Sequence, residues 1–241
     1  MVGELVRILH TNDLHGSLDA KRVERLAALR AQADCYFDTG DCIRTGNLGV
    51  PLRPEPVWPL LARLNCSASV PGNRESHLLK STFEAKIAGH AHPILCANLF
   101  DKVGNLILPE SLVLTVGGIK IGVFGVMVPM VTERMKSKSV SQFLWTSPIE
   151  AALRVSEELR SHCDLLIALT HIGIRQDQAL AEADGQIDLI LGGHSHTVLT
   201  EPLQIGSTWI CQGGSHGRYI GHYTWKMGRG LVEAELLPWL P

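Results

Sequence analysis

The sequence contains no long apolar run, no excess of basic residues and no closely spaced cysteine pair. No segment approaches the roughly 18 apolar residues that a membrane-spanning helix requires, and residues 1–10 lack the apolar core of a signal peptide. The 22 Lys and Arg residues are balanced by 24 Asp and Glu residues, so we expect no nucleic-acid footprint. None of the six cysteines forms a CxxC pair, which favours buried free thiols over a disulfide framework. These absences predict a cytoplasmic protein without a membrane segment.

The composition is typical of a folded domain. With 45% hydrophobic and 19% charged residues, a chain of 241 residues can bury a sizeable core. The sequence has no internal repeat, no low-complexity segment and no change in composition that would indicate a linker. We therefore expect a single domain over residues 1–241.

Short apolar segments alternate with segments of helical periodicity through most of the chain, and this alternation predicts an α/β fold. A hairpin predicted around Gly117-Gly118 indicates that part of the sheet is antiparallel or mixed. The tail segments 208–212 and 219–226 are predicted to pair with each other, and residues 129–147 to be irregular. Further strands are predicted at 6–9, 35–37, 68–70, 94–97, 112–116, 119–124, 165–169 and 187–191, and helices at 19–32, 57–64, 76–88, 148–161 and 178–183.

Residue types that bind metals occur in five short segments, each beside turn glycines or at the end of an apolar run. Four of these segments directly follow a predicted strand, and ligands bind open α/β sheets where the strands end. We therefore expect the five segments to meet at one edge of the fold. Their ligand count suits two divalent metal ions that share one carboxylate, a centre that activates water and clamps a phosphate. The candidate metal ligands are Asp13, His15, Asp41, Asn73, His171, His194 and His196.

The segments differ in how specific they are. The two imidazoles in Gly192-Gly193-His194-Ser195-His196 are the strongest signal, because the flanking glycines let the backbone pass close to an ion. Taken singly, Gly40-Asp41 and Gly72-Asn73 are as typical of turns, and His171 is as typical of a buried core histidine. All five segments together, in this order, predict phosphoester hydrolysis without indicating a substrate.

The same segments carry a resemblance to a known family. The opening phrase Leu9-His-Thr-Asn-Asp-Leu-His-Gly16, the later segments and the closing residues 212–221 are similar to motifs of the calcineurin-like metallophosphoesterase superfamily. The similarity is to the branch of 5′-nucleotidases and bacterial cyclic phosphodiesterases, and it covers nearly the whole chain. It implies a four-layer α/β/β/α sandwich with two mixed sheets. It also implies a hydrolase of small phosphorylated substrates, in which a metal-bridging hydroxide attacks phosphorus in line.

The resemblance further implies two divalent metal ions at the strand ends, with Asp41 as the bridge. Mixed oxygen and nitrogen donors fit Mn, Fe, Zn, Co or Ni, so the metal identity stays open. The implied ligands are Asp13, His15 and His196 for one ion, and Asn73, His171 and His194 for the other.

One departure from the family pattern concerns catalysis. The family has a His after the ligand Asn, oriented by an Asp three residues later, whereas this chain has Arg74 and His77. Arginine stays protonated, so it cannot act as a general acid, but it can stabilise charge on a phosphoryl oxygen. If a helix begins near Glu75, positions 74 and 77 share a face and His77 becomes a candidate proton donor. The alternative is that both residues are surface groups.

A second departure concerns substrate specificity. Family 5′-nucleotidases carry a C-terminal domain whose aromatic residues stack on the base, and we expect none here because the chain stops after Trp239. The candidate substrate-binding residues are therefore Asn73, Arg74 and His216. The segments 44–59 and 129–147 are candidates to shape a pocket, and their Trp58 and Trp145 serve either in base stacking or in the core. His10 is a candidate to support the metal ligands.

Three hypotheses remain open. The first is a phosphomonoesterase acting on nucleotides or sugar phosphates. The second is a phosphodiesterase, which the missing catalytic His favours because diesters with good leaving groups depend less on a general acid. The third is a non-catalytic scaffold that keeps the fold and binds metal. The sequence leaves the oligomeric state open.

Overall fold

The computed structural model describes residues 4–239 and contains thirteen strands and five helices, with one 3-10 turn at Lys136–Ser139. The strands are β1 (Leu5–Thr11), β2 (Cys35–Asp38), β3 (Ala68–Ser69), β4 (Leu99–Asp101), β5 (Ser111–Val116), β6 (Ile119–Met127), β7 (Phe143–Trp145), β8 (Leu165–His171), β9 (Leu189–Gly192), β10 (Leu203–Ile205), β11 (Thr208–Cys211), β12 (Tyr219–Lys226) and β13 (Gly230–Pro238). The helices are α1 (Ala20–Arg30), α2 (Val57–Arg63), α3 (Lys80–Ile87), α4 (Pro148–Arg160) and α5 (Ile174–Ala183).

The strands form two mixed sheets and a small ribbon. The first sheet has the order β13-β12-β1-β2-β3. Strands β1, β2 and β3 are parallel to one another, and β12 is antiparallel to both of its neighbours, β1 and β13. The second has the order β10-β11-β9-β8-β6-β5, with four parallel central strands and an antiparallel strand at each edge. Strands β4 and β7 pair separately. The predicted α/β fold with two mixed sheets is confirmed.

Strand β8 is buried on both faces, and its alternating side chains contribute to two cores. Leu165, Ile167 and Leu169 pack in the large core, which also contains the first sheet. Leu166 and Ala168 pack in a smaller core with residues of α4 and α5. Because both faces are covered, β8 reads in the sequence as a continuous apolar run rather than as an alternating one.

Two predicted helices start at side chains that cap them. Asp19 precedes α1 and accepts a hydrogen bond from the backbone N of Arg22, and Ser147 accepts one from Glu150 N at the start of α4. Pro148 occupies the first turn of α4, where its missing N–H would have had no partner in any case. The hairpin is also confirmed: Gly117 and Gly118, with φ of 56° and 91°, connect β5 to β6.

The structure differs from the prediction in the segment 76–97. Helix α3 begins at Lys80, because the chain is extended at its N-cap Leu79, rather than near Glu75. Residues 94–97 were predicted as a strand, but they form an isolated bridge between Ile94 and Ser69 and single backbone hydrogen bonds to other segments rather than a continuous ladder. Apolar character there reflects burial in the core rather than membership of a sheet.

The predicted pairing of the two tail segments is wrong. Strand β11 pairs with β9 and β10 in the second sheet, whereas β12 pairs with β1 and β13 in the first. The residues between β11 and β12 therefore cross from one sheet to the other. The predicted strands missed β4, β10 and β13, and they missed β7 within 129–147, because short or half-exposed strands carry little apolar signal. Helix α5 begins at Ile174, earlier than predicted.

All six cysteines carry free thiols, and only Cys163 is partly exposed. Within residues 4–239, none of the helices has the length and hydropathy needed to cross a bilayer.

The β5–β6 hairpin gives a test of the fold. Replacing Gly118 by Ala should lower the free energy of unfolding by about 1–2 kcal/mol, because an L residue is strained at positive φ. The added methyl group would meet no atom within 4 Å, so backbone strain is the only expected penalty. The matched control is Gly185→Ala, where space is equally open and φ lies outside the positive range. Urea denaturation of both variants measures the difference, and equal stabilities would contradict the turn assignment.

Candidate metal centre

The loops after β1 and β2 run side by side beyond the ends of the strands. Asp13 N donates to Gly40 O (2.9 Å), and His15 N donates to Asp41 O (2.8 Å). These bonds continue the parallel pairing of β1 and β2 by a few residues. Asp13, His15 and Asp41 are therefore held together at the carboxyl edge of the first sheet.

The second sheet brings its own strand ends to the same place. His171 is the last residue of β8, and its Nδ1 donates to Thr39 O (2.7 Å), which follows β2 in the first sheet. Thr39 Oγ1 in turn donates to Gly192 O at the end of β9 (3.0 Å). His194 N donates to Asp13 Oδ2 (2.9 Å). The carboxyl edges of both sheets thus meet, as predicted from the position of the five segments.

Gly193 shows how closely these loops pass each other. A Cβ at this position would lie 2.7 Å from Thr39 O, 3.0 Å from His171 Nδ1 and 3.2 Å from Asp13 Oδ2. The following residues are braced by Gln212, whose Oε1 accepts hydrogen bonds from Ser195 Oγ and Thr197 N. A side chain at position 193 would therefore require these loops to move apart.

A first cluster contains Asp13, His15 and His196. Asp13 Oδ1 lies 3.2 Å from His196 Nε2 and 3.8 Å from His15 Nε2. The two Nε2 atoms are 3.0 Å apart. One donor atom from each residue lies within 4.8 Å of the other two, close enough for all three to bind one ion.

A second cluster contains Asn73, His171 and His194. Asn73 Oδ1 lies 3.2 Å from His171 Nε2 and 2.9 Å from His194 Nδ1. Asp41 lies between the clusters, with Oδ1 3.6 Å from His171 Nε2 and Oδ2 4.0 Å from His15 Nδ1. All seven predicted ligand residues are therefore adjacent, and Asp41 is the one whose two oxygens face both clusters.

The donor set fits divalent metal ions. Asp13 Oδ1 is buried and accepts no hydrogen bond, although it faces two imidazoles. Because His171 Nδ1 donates to a carbonyl, its Nε2 carries the lone pair that faces the cluster. Burial, and next the Arg74 charge, lower the pKa of His15 to about 4, so this imidazole is neutral at pH 7. Neutral imidazoles with carboxylate and amide oxygens suit first-row transition metals.

Backbone strain concentrates at this centre. Within residues 4–239, seven residues other than glycine have positive φ, and all except Asn65 belong to the centre or border it. Such conformations are tolerated where surrounding contacts fix them, which is typical of ligand sites. The six are Asp13, His15, Asp41, His194, His196 and His216.

Arg74 borders the second cluster and Asp41. Its backbone N donates to Asp41 Oδ1 (2.7 Å), its Nε lies 3.9 Å from Asp41 Oδ2, and its Nη1 donates to Arg44 O (3.2 Å). The side chain is partly exposed, which leaves guanidinium donors facing solvent beside the candidate ligands. Arg74 is therefore placed where a bound phosphate could reach it.

His77 is placed differently. It precedes α3, so the helical geometry on which its pairing with Arg74 depended is absent. The imidazole is buried and Nδ1 accepts a hydrogen bond from Leu79 N (3.0 Å). Among the described residues, no hydrogen bond joins it to Arg74 or to a candidate ligand. Its catalytic role stays a prediction.

His216 and His10 lie beside the centre in different ways. The His216 ring is 4.6 Å from the His15 ring, centroid to centroid, and 5.9 Å from that of His196. His10 is buried behind the ligands, where its Nε2 hydrogen-bonds with Thr39 Oγ1 (2.8 Å). Burial lowers the pKa of His10 to about 3. His216 is thus an exposed neighbour of the first cluster, whereas His10 supports Thr39.

Glu75 is a residue that the sequence pattern did not single out. Its buried carboxylate accepts hydrogen bonds from four backbone N–H groups in the two loops that carry Asp41 and Asn73. The donors are Gly72 (2.7 Å), Asp41 (2.8 Å), Cys42 (2.9 Å) and Ile43 (3.2 Å). A single acidic residue in a turn has no periodicity that would have revealed this role. The side chains of Trp58 and Trp145 are buried in the core, so neither is available to stack on a base.

Known proteins share this architecture. The metallophosphoesterase YunD of Bacillus subtilis is 30% identical over 231 residues, which are 90% of this chain and 49% of YunD. The crystal structure of a 5′-nucleotidase precursor from Thermus thermophilus superposes with a TM-score of 0.78 at 20% identity, covering 97% of this chain and 54% of that one. The structure of the calcineurin-like phosphoesterase YfkN from Bacillus subtilis gives a TM-score of 0.77 at 18% identity, covering 98% and 91%.

These comparisons carry different weight. The structural similarities, all below 25% identity, concern the fold, and the chain spans about half the length of YunD. The sequence profile of the calcineurin-like phosphoesterase family, however, matches residues 6–198, a range that begins in β1 and includes every candidate metal ligand. The chain therefore belongs to the calcineurin-like phosphoesterase family.

Proposed function

We propose that this protein hydrolyses phosphoesters with the help of two divalent metal ions. The observation that carries the proposal is the arrangement around Asp41, whose two oxygens face a cluster on either side. The buried Asp13 Oδ1 supports it, since this oxygen has two imidazole nitrogens at 3.2 Å and 3.8 Å but no donor with good hydrogen-bond geometry, and a buried carboxylate oxygen is expensive without a partner. Membership of a phosphoesterase family supports the reaction class.

The proposed ligands are divided between two ions. Ions bound here would supply activation of a water molecule and neutralisation of charge on phosphoryl oxygens. We assign Asp13, His15 and His196 to one ion, Asn73, His171 and His194 to the other, and Asp41 to both.

The remaining side chains are assigned to the substrate. The Arg74 guanidinium would donate hydrogen bonds to a phosphoryl oxygen and stabilise its developing charge. His216, beside His15, and the Asn73 amide complete the proposed contacts with the phosphate. We propose a small phosphoester as substrate, nucleotide-like or otherwise, and the name of the Thermus thermophilus 5′-nucleotidase precursor, whose likeness concerns the fold, makes nucleotides the first candidates to test.

Arg74 also favours a second candidate, a phosphodiesterase with little monoesterase activity. Arginine cannot give a proton to a poor leaving group. A general acid typically contributes about a hundredfold to ten-thousandfold, so its loss discriminates against alkoxide leaving groups. Substrates with acidic leaving groups, including some diesters, would be affected least.

The metal requirement can be tested directly. Chelated protein should lose hydrolysis of p-nitrophenyl phosphate and bis-p-nitrophenyl phosphate, and reloading with Mn²⁺ should restore it with two ions bound per chain. The ratio of the two rates separates the monoesterase from the diesterase. Two bound ions without turnover for any metal would favour a non-catalytic scaffold.

Asp41→Asn should abolish this turnover and reduce the number of bound ions, because an amide offers one neutral oxygen in place of two charged ones. The matched control is Asp19→Asn, since asparagine caps a helix about as well as aspartate does. Metal content and turnover are measured for both variants. Wild-type values for Asp41→Asn would show that the two-metal assignment is wrong.

Two substitutions separate the proposed roles of Arg74. Arg74→Met should lower kcat for both substrates by about a hundredfold, the size typical for loss of one charge-stabilising donor. Arg74→His should raise the rate for monoesters with poor leaving groups relative to diesters, because imidazole can donate a proton. Arg53→Met is the control, because Arg53 is an exposed arginine in the loop of residues 44–56. Unchanged kinetics in both Arg74 variants would assign Arg74 to the surface.

A further inference from the structure

Lys86 is a fully buried lysine near the end of α3, and its partners are unusual. Its side chain is 0% exposed, and its Nζ lies within hydrogen-bond distance of four backbone carbonyls. An ammonium group has three protons, so four acceptors share them. The acceptors are Arg74 O (2.7 Å), Asn47 O (2.9 Å), Gly46 O (3.0 Å) and Ser76 O (3.2 Å).

These four carbonyls belong to only two stretches of chain, and both stretches contact Asn73. One is 74–76, which directly follows Asn73. The other is 46–47, where Asn47 Oδ1 accepts a hydrogen bond from Asn73 Nδ2 (2.9 Å). That bond occupies the amide nitrogen of Asn73. It leaves Oδ1 facing His171 and His194.

We infer that Lys86 is a positioning residue for the metal-binding oxygen of Asn73, acting through the backbone of Asn47 and Arg74. The inference rests on the proposed role of Asn73 as a metal ligand. Asn47 is exposed and belongs to the loop of residues 44–56 before α2, so its backbone has no strand to hold it. The Lys86 ammonium restrains this backbone by its hydrogen bond to Asn47 O. The Asn47 side chain in turn holds the Asn73 amide in place.

A structural role alone accounts less well for this geometry. A lysine buried only to fill space would be expected to keep its charged end at the surface, because its stem can pack while the ammonium remains solvated. Here the ammonium is the buried end, and burial lowers the pKa of Lys86 to about 8. Its hydrogen bonds with carbonyls offset the loss of water. All of these carbonyls belong to the two stretches that contact Asn73.

The test is a Mn²⁺ titration of metal-stripped protein, followed by electron paramagnetic resonance of free Mn²⁺. Asn47→Ala removes only the last link and, being an exposed substitution, should leave thermal unfolding unchanged. It should weaken one of the two binding steps by about 10–100-fold, as loss of a partner to a ligand typically does, and leave the other unchanged.

Lys86→Met should weaken the same binding step, and the double variant should bind no more weakly than Lys86→Met. Lys80→Met, on the exposed side of α3, should bind like the wild type.

The outcomes separate this inference from the proposed function. Wild-type binding steps in Asn47→Ala would overturn it, whether or not Lys86→Met folds. So would a Lys86→Met protein with a lower melting temperature but two unchanged binding steps, because that pattern indicates a purely structural lysine. Wild-type protein that binds no Mn²⁺ at all would overturn the proposed function first, and the role of Lys86 with it.

Discussion

The structure depends on the hydrogen bonds that cross from one sheet to the other where their strands end. Thr39 makes two of them, accepting from His171 Nδ1 and donating to Gly192 O, and Asp13 makes a third by accepting from His194 N. Each bond orients a candidate ligand or the backbone beside one. The packing of the two sheets and the geometry of the centre are therefore set together, and sliding one sheet against the other would break up both clusters, because each contains residues from both sheets.

Assembling this centre requires conformations and charges that folding otherwise avoids. Positive φ at residues other than glycine is unfavourable by about 1–3 kcal/mol each, and it persists only where surrounding contacts over-determine it. The Glu75 carboxylate provides such contacts for the Asp41 loop through its four amide donors. Burial raises the pKa of Asp41 to about 6, which means that its charged form is less favourable in the protein alone than in water. A bound cation would reverse that preference, so metal binding and local stability are coupled.

Much of the centre could be predicted because its ligands follow strands, and strands are visible in the sequence. The five segments lie next to one another, as expected if residues that follow the strands meet at the carboxyl ends of the sheets. What the pattern could not reveal depends on single residues with no periodicity: Glu75 and Lys86 act through backbone groups of distant loops. Local patterns also failed where tertiary context decides, as with β11 and β12, which are close in the chain but belong to different sheets. The helix start at Lys80 removed the geometric basis for pairing His77 with Arg74.

The arginine at position 74 changes the charge balance as well as the proton chemistry. Three carboxylates, those of Asp13, Asp41 and Glu75, lie in or beside the centre together with two basic groups, the Arg74 guanidinium and the Lys86 amine. A neutral histidine at position 74 would leave a larger negative excess and attract divalent cations more strongly. If the centre binds metal ions and a phosphate as proposed, Arg74 would weaken the electrostatic attraction for the metal ions and strengthen that for the phosphate, since both interactions act at short range in a partly buried site. On the proposed function, arginine rather than histidine at position 74 would thus both remove a proton donor and favour binding of the substrate anion over binding of the metal ions.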